Sequence, residues 1–250
     1  MTKLKRMPIY YLIFFIIMIG VNYLVGDNVG NVADSNETLI QPAGYAFSIW
    51  GLIYISLLAW IIRMFFVKNA RNMIHLSLQW LPVMNFALNS IWIIVFTQEW
   101  ILASNVVIIA LWITIYMMYR KVNKGEYHWL DRLPLSLYLG WVTFATVVNV
   151  FTWLEEIGAT SITGFDESVV VMSVLGVLAV LVALFSTIYR DWIIPLVGVW
   201  TYIAIFTNAD TNDNVFFAVL IVGIVVFLLA AIMNVVKSKN RYRTYKKGLM

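Results

Sequence analysis

Asn89, Trp92, Tyr138, Trp141, Ala145 and Asn149 are the residues of this chain whose types and spacing suit chemistry, and the chemistry is recognition rather than bond-breaking. At 100° per residue, Tyr138, Trp141, Ala145, Asn149 and Thr152 fall within about an 80° arc of one helix. Asn85, Asn89, Trp92 and Phe96 share an arc of about 60°, and Phe47, Trp50, Gly51 and Tyr54 one of about 100°. Each face sets aromatic rings beside an amide, a hydroxyl or a small residue. Indole and phenol rings offer flat apolar area with a polar tip. Brought together, three such faces would line an apolar cavity with a few fixed hydrogen-bonding groups, the usual make-up of a small-molecule site. A flat apolar ligand fits that description. For a single Asn the plainer alternative is a hydrogen bond between helices; agreement among several helices is what favours a site.

Other chemistries lack raw material. There is no Cys, hence no disulfide, thiolate nucleophile or Cys-ligated metal. The two His, His75 and His128, sit at a span edge and in a loop, which leaves little for metal catalysis or Ser–His chemistry. No glycine-rich nucleotide loop and no HExxH occurs. No catalytic residue, metal ligand or covalently bound cofactor is assigned.

The elements that must position these faces are membrane spans. The chain is 62% hydrophobic and 12% charged, with a mean hydropathy of +0.85, a polytopic membrane composition. Leu133–Trp153 is an uncharged run of 21 residues, enough to cross a hydrocarbon core of roughly 30 Å as a helix. Asn149 facing lipid would be costly, so its face should look into protein. Further spans are predicted at about 8–25, 44–62, 75–97, 101–119, 169–189, 192–208 and 215–236, eight in all. The one at 192–208 is short and holds Pro195. The first follows a basic start (Lys3, Lys5, Arg6) as a signal peptide would. VNYLVGDN, however, offers no small-x-small cleavage site, so an uncleaved span is expected.

Charge placement supports that count. With the N-terminus in the cytoplasm, every one of the 17 Lys and Arg falls on the inner side, the pattern of positive-inside topology. Both termini are then cytoplasmic. This accounts for the basic balance without nucleic acid; the tail from Lys237 to Met250, expected to be frayed, is basic enough to touch anionic lipid as well. No Asp, Glu, Lys or Arg lies in the middle of a span, where ion-coupled pumps and voltage sensors keep theirs. Absence of Cys and strict inner placement of basic residues suit a bacterial cytoplasmic membrane. Trp80, Trp100, Trp129, Trp153 and Trp192 sit near span ends as interfacial belts.

Three motifs, in order, carry a resemblance. Pro42-Ala43-Gly44-Tyr45-Ala46-Phe47-Ser48-Ile49-Trp50-Gly51-Leu52-Ile53-Tyr54 resembles the loop-to-second-helix signature of the TspO/translocator-protein family, the tryptophan-rich sensory proteins. Leu88-Asn89-Ser90-Ile91-Trp92 resembles its third-helix motif, and Tyr138-x-x-Trp141-x-x-Phe144-Ala145-Thr146-x-x-Asn149-x-x-x-Trp153 its fifth. The resemblance covers about residues 5–155. It implies a five-helix bundle over 1–155, a three-span extension over 156–236 and a basic tail over 237–250. It also implies a pocket lined by Trp50, Tyr54, Asn89, Trp92, Trp141, Ala145 and Asn149; the faces above add Phe47 and Tyr138.

Members of that family bind tetrapyrroles, so the resemblance implies a membrane-embedded receptor or translocator for a tetrapyrrole-like ligand. The loop before Pro42 would be its lid, and a homodimer is implied unless the extra spans cover that face. A small-molecule permease and a porphyrin-degrading activity using pocket Trp residues are the alternatives. This chain departs from the family in having Phe47-Ser48-Ile49 where Phe-Pro-Pro is usual, and its acidic Leu154-Glu155-Glu156 gives cholesterol no support. Trp200-x3-Ala204-x3-Asn208 echoes Trp141-x3-Ala145-x3-Asn149, and a meaningful echo would face a second or shared cavity.

Overall fold

A computed structural model describes residues 3–26, 29, 38–67, 75–124, 129–159 and 166–247, with side chains from Arg6 to Ser238. Most of the predicted lid (27–28 and 30–37), Lys68, Arg71 and His128 lie outside the described residues. The described chain is helical, with no strand. Its helices are α1 (Lys3–Val25), α2 (Ile49–Phe66), α3 (His75–Leu78), α4 (Leu81–Thr97), α5 (Ile101–Lys124), α6 (Trp129–Glu156), α7 (Glu167–Tyr189), α8 (Ile193–Asn208) and α9 (Asn214–Lys247). A 3-10 turn, Gly44–Ser48, leads into α2.

Six of the helices are long and apolar enough to cross a membrane. The other two apolar helices are shorter, α4 with 17 residues and α8 with 16. At 1.5 Å per residue these measure about 24–26 Å.

The chain forms two compact units, residues 1–38 with 47–159, and residues 39–46 with 160–250. In the first, neighbouring helices close a ring: α1 packs on α2 and α4, α2 on α6, α6 on α5, and α5 on α4. The predicted span 75–97 is interrupted. Pro82 has no N–H to give the Leu78 carbonyl and its ring would clash with it, so α3 stops at Leu78 and Gln79 turns with φ 51°. The Tyr11 hydroxyl donates to the Gln79 carbonyl exposed by that break, at 2.5 Å. At the same end of the ring, Arg63 of α2 and Asp131 of α6 form an ion pair at 2.5 Å.

In the second unit α7, α8 and α9 pack mutually. An aspartate caps the start of each: Asp166 accepts from Ser168 N–H, Asp191 from Ile193 N–H and Asp213 from Val215 N–H, each satisfying a donor that the first turn leaves orphaned. Pro195 falls in the first turn of α8, where a missing N–H costs nothing. α7 ends at Arg190, in the left-handed conformation. The backbone helix of α9 continues to Lys247, so the tail is helical well past Lys237 instead of frayed. Lys and Arg are good helix formers, and nothing in that stretch up to Lys247 breaks a helix.

Two close approaches bind this unit. A methyl at Gly198 would meet the Phe227 ring at 2.7 Å, and one at Gly223 the Tyr202 ring at 2.4 Å. Tyr202 and Phe227 are themselves edge-to-face at 5.0 Å, and the Tyr202 hydroxyl donates to the Leu175 carbonyl at 2.6 Å. Absence of two Cβ atoms thus lets α8 and α9 approach with aromatic rings between them.

Candidate functional site

Trp50 is the hub of the first unit. It sits in the first turn of α2, and its ring meets those of Tyr54 (5.5 Å between centroids), Tyr138 (5.6 Å), Trp92 (6.2 Å) and Trp141 (6.4 Å). Phe47 meets Trp141 at 5.8 Å, and Phe96 stacks on Trp92 at 5.4 Å. The three faces read from helical periodicity therefore converge, near the end of the ring where α1 and α4 finish and α2 begins.

Two hydrogen-bonded chains run beside the rings. In one, Tyr54 OH donates to Asn22 Oδ1 (2.7 Å), Asn22 Nδ2 to Asn89 Oδ1 (2.9 Å) and Asn89 Nδ2 to the Tyr138 hydroxyl (3.0 Å). It ties α2, α1, α4 and α6 together. In the other, Trp92 Nε1 donates to Asn149 Oδ1 (3.2 Å), and Asn149 Nδ2 to Ser104 Oγ (2.8 Å). Asn105 Nδ2 adds a bond to the Asn149 carbonyl at 3.1 Å. Asn89, Asn149 and Tyr138 are all buried, so these bonds meet polar demands that water cannot.

One indole stands outside both chains. Trp141 is 2% exposed, lies between Trp50 and Phe47, and its N–H has no acceptor among the described residues.

Not every residue of the predicted faces joins the cluster. Asn85 turns to α5, donating to Thr114 Oγ1 at 2.9 Å. Gly51 is exposed, and Thr152 bonds back to the Val148 carbonyl of its own helix. Ala145 is half-buried, one turn beyond Trp141, with no polar group to offer. Sequence reasoning missed Asn22, Ser104 and Asn105. Asn22 is a lone amide near the end of an apolar span, a signal equal to that of any single Asn.

The Trp200, Ala204 and Asn208 echo has a different setting. These residues face the strap 39–46 within the second unit. Trp200 Nε1 donates to the Ala46 carbonyl (3.1 Å), Ala43 N–H to the Ala204 carbonyl (3.0 Å) and Asn208 Nδ2 to the Gln41 carbonyl (3.2 Å). Tyr45 adds an edge-to-face contact with Trp200 at 5.4 Å and a hydroxyl contact with Thr207 at 3.3 Å.

A ring of apolar helices closed around buried amides and indoles defines a multi-pass helical membrane protein. The model of the TSPO-like protein family matches residues 8–233, and the chain belongs to that family. The match runs on through α7, α8 and most of α9, so the three helices beyond residue 155 lie inside it. No curated protein and no solved structure matches the chain.

Proposed function

We propose that this protein is a membrane-embedded receptor or translocator for a flat, apolar, tetrapyrrole-like small molecule, held at the Trp50 cluster by binding alone. The observation that carries the reading is the Trp141 indole, a buried N–H among aromatic rings with no acceptor among the described residues. Leaving such a donor unmet costs about 1–3 kcal/mol. A ligand bringing a carbonyl or carboxylate oxygen to it would recover that cost, while the Trp50, Trp92 and Phe47 rings offer the stacking area a flat molecule needs. Membership of the TSPO-like family supports the same direction.

The topology we infer has eight crossings, α4 and α8 included, with both ends of the chain in the cytoplasm of a bacterial cell. A reporter active only outside the membrane, fused after Met250, should stay dark; a signal there would remove this topology.

Binding is tested by titrating the detergent-purified protein with a porphyrin and following Trp quenching. Saturable quenching is expected in the wild type, weakened about tenfold by Trp141→Phe, or about 1.4 kcal/mol. Trp60→Phe is the matched control, because its indole N–H is also buried with no acceptor among the described residues but it lies near the other end of α2, against Tyr11. It should leave affinity unchanged. Linear quenching, identical in all three proteins, would mean pigment dissolving in micelles and would end the proposal.

A further inference from the structure

One stripe of α5 takes no part in the aromatic cluster. Trp112, Tyr116, Arg120 and Lys124 are spaced four apart, so each follows the last by about 40° and all fall within an arc of about 120°. The Trp112 and Tyr116 rings stack at 5.3 Å with 13° between their planes, and the Arg120 guanidinium lies 5.8 Å from the Tyr116 centroid. The inner end of this ladder is tied to α6, where Trp112 Nε1 donates to Thr143 Oγ1 at 2.9 Å. With that N–H met, the remaining surface of the half-buried indole is apolar. Ile113 and Met117, 46% and 43% exposed, flank the stripe. Arg120 and Lys124 are exposed, and among the described residues neither has a carboxylate partner; Asp131 at the same end is paired with Arg63.

Orientation of the span does not account for this arrangement. Orienting takes only positive charge near the cytoplasmic end, and interfacial belts take Trp and Tyr near the membrane surface. Trp112 is eight residues inward from Arg120, about 12 Å at 1.5 Å per residue, close to the middle of a roughly 30 Å hydrocarbon core. A ladder that rises from that depth to two bases is complementary to a molecule apolar below and anionic above. We propose that the stripe is a binding site for one anionic phospholipid of the adjoining leaflet. Arg120 and Lys124 hold its phosphodiester, and an acyl chain lies along Tyr116 and Trp112. A guanidinium offers a phosphate two parallel N–H donors, and the Tyr116 ring beneath it holds that fork in place. Two bases on one face favour a headgroup of net negative charge over a zwitterion, whose own cation they would repel. The site is independent of the Trp50 cluster and of what that cluster binds.

The test is native mass spectrometry of the full chain released from detergent, titrated with phosphatidylglycerol or with phosphatidylcholine. The wild type should form a saturable phosphatidylglycerol adduct and bind phosphatidylcholine about tenfold more weakly or worse. Arg120→Gln should weaken phosphatidylglycerol binding by about tenfold or more, beyond the roughly fivefold that a lone base beside an anionic surface is worth. Arg120 is exposed, so this variant disturbs no packed position. Trp112→Leu, which removes the inner ring and leaves both bases, should weaken the adduct as well. Lys121→Gln is the control: it removes the same charge at the same depth, from an ammonium already given to the Ser77 carbonyl at 2.8 Å. It should leave the adduct nearly unchanged. Equal losses in Arg120→Gln and Lys121→Gln would mean diffuse surface charge and would overturn the site. Equal binding of the two lipids would overturn it too. A dimer that Arg120→Gln dissociates, with no lipid adduct, would assign the stripe to a second copy of the chain instead.

Discussion

The two units of this chain solve the problem of holding apolar helices together in different ways. In the five-helix unit, polar side chains reach between helices: Asn22, Asn89 and Tyr138 in one chain of bonds, Trp92, Asn149 and Ser104 in another. The three-helix unit is drier. Its α8–α9 contact is built on Gly198 and Gly223 against aromatic rings, and one of its buried amides, Asn234, is bonded to Ser186 and the Asp191 carbonyl. Between lipid-soluble helices, hydrophobic burial gives little preference for protein over lipid, so close packing and hydrogen bonds must supply it. The first unit leans on hydrogen bonds and the second on close packing. Interhelical side-chain hydrogen bonds are therefore concentrated where the rings converge, in the first unit.

That contrast can be broken most sharply at Gly223. A Gly223→Val variant should lower unfolding stability by about 3 kcal/mol, since overpacking a close contact costs about 1–3 kcal/mol and the Tyr202 ring stands only 2.4 Å from the new Cβ. Steric-trap unfolding in bicelles would read it, and near wild-type stability would show that the second unit is not held by close approach. Next is Asn89→Leu. It leaves the Asn22 amide and Tyr138 hydroxyl without their shared partner, and a loss of about 1–2 kcal/mol is expected from interhelical bonds of this kind. The same unfolding measurement applies, and no change would make the first unit's polar chain ornamental. The smallest effect sharpens the comparison. Asp213→Ala removes the cap of α9 and should cost about 0.5–1 kcal/mol, with no effect on porphyrin affinity. A matching fall in affinity would show that the cap of α9 matters to binding as well as to stability.

Much of this was legible from residues alone, for a reason that also marks its edge. Helical periodicity fixes which residues share a face, and it groups Trp50, Trp92, Tyr138, Trp141 and Asn149 on the faces of their helices from sequence alone. It does not fix which neighbour that face meets. Asn85 and Asn89 lie on one arc, yet one bonds to α5 and the other to α1 and α6. Asn22 was invisible because a lone amide has no period. The turn at Gln79 came from a single proline acting on a carbonyl four residues back, inside a run that reads as one apolar span. Trp200, Ala204 and Asn208 carried a pattern similar to the fifth-helix motif, but the pattern could not name its target. The strap they hold is some 150 residues earlier, with separations of 154 and 167 for the Trp200 and Asn208 bonds.

That separation also has a consequence in time. The strap leaves the ribosome early, and the helix that binds it is made last but one. At roughly 5–20 residues per second, about eight to thirty seconds of synthesis pass before Trp200 exists to take the Ala46 carbonyl. The five-helix ring can assemble once α6 is complete at Glu156, with its aromatic cluster in place and the chain leading into it not yet bonded to α8. A nascent protein would thus pass through a stage in which the strap 39–46 lacks its α8 partners, gaining them only when α8 is inserted.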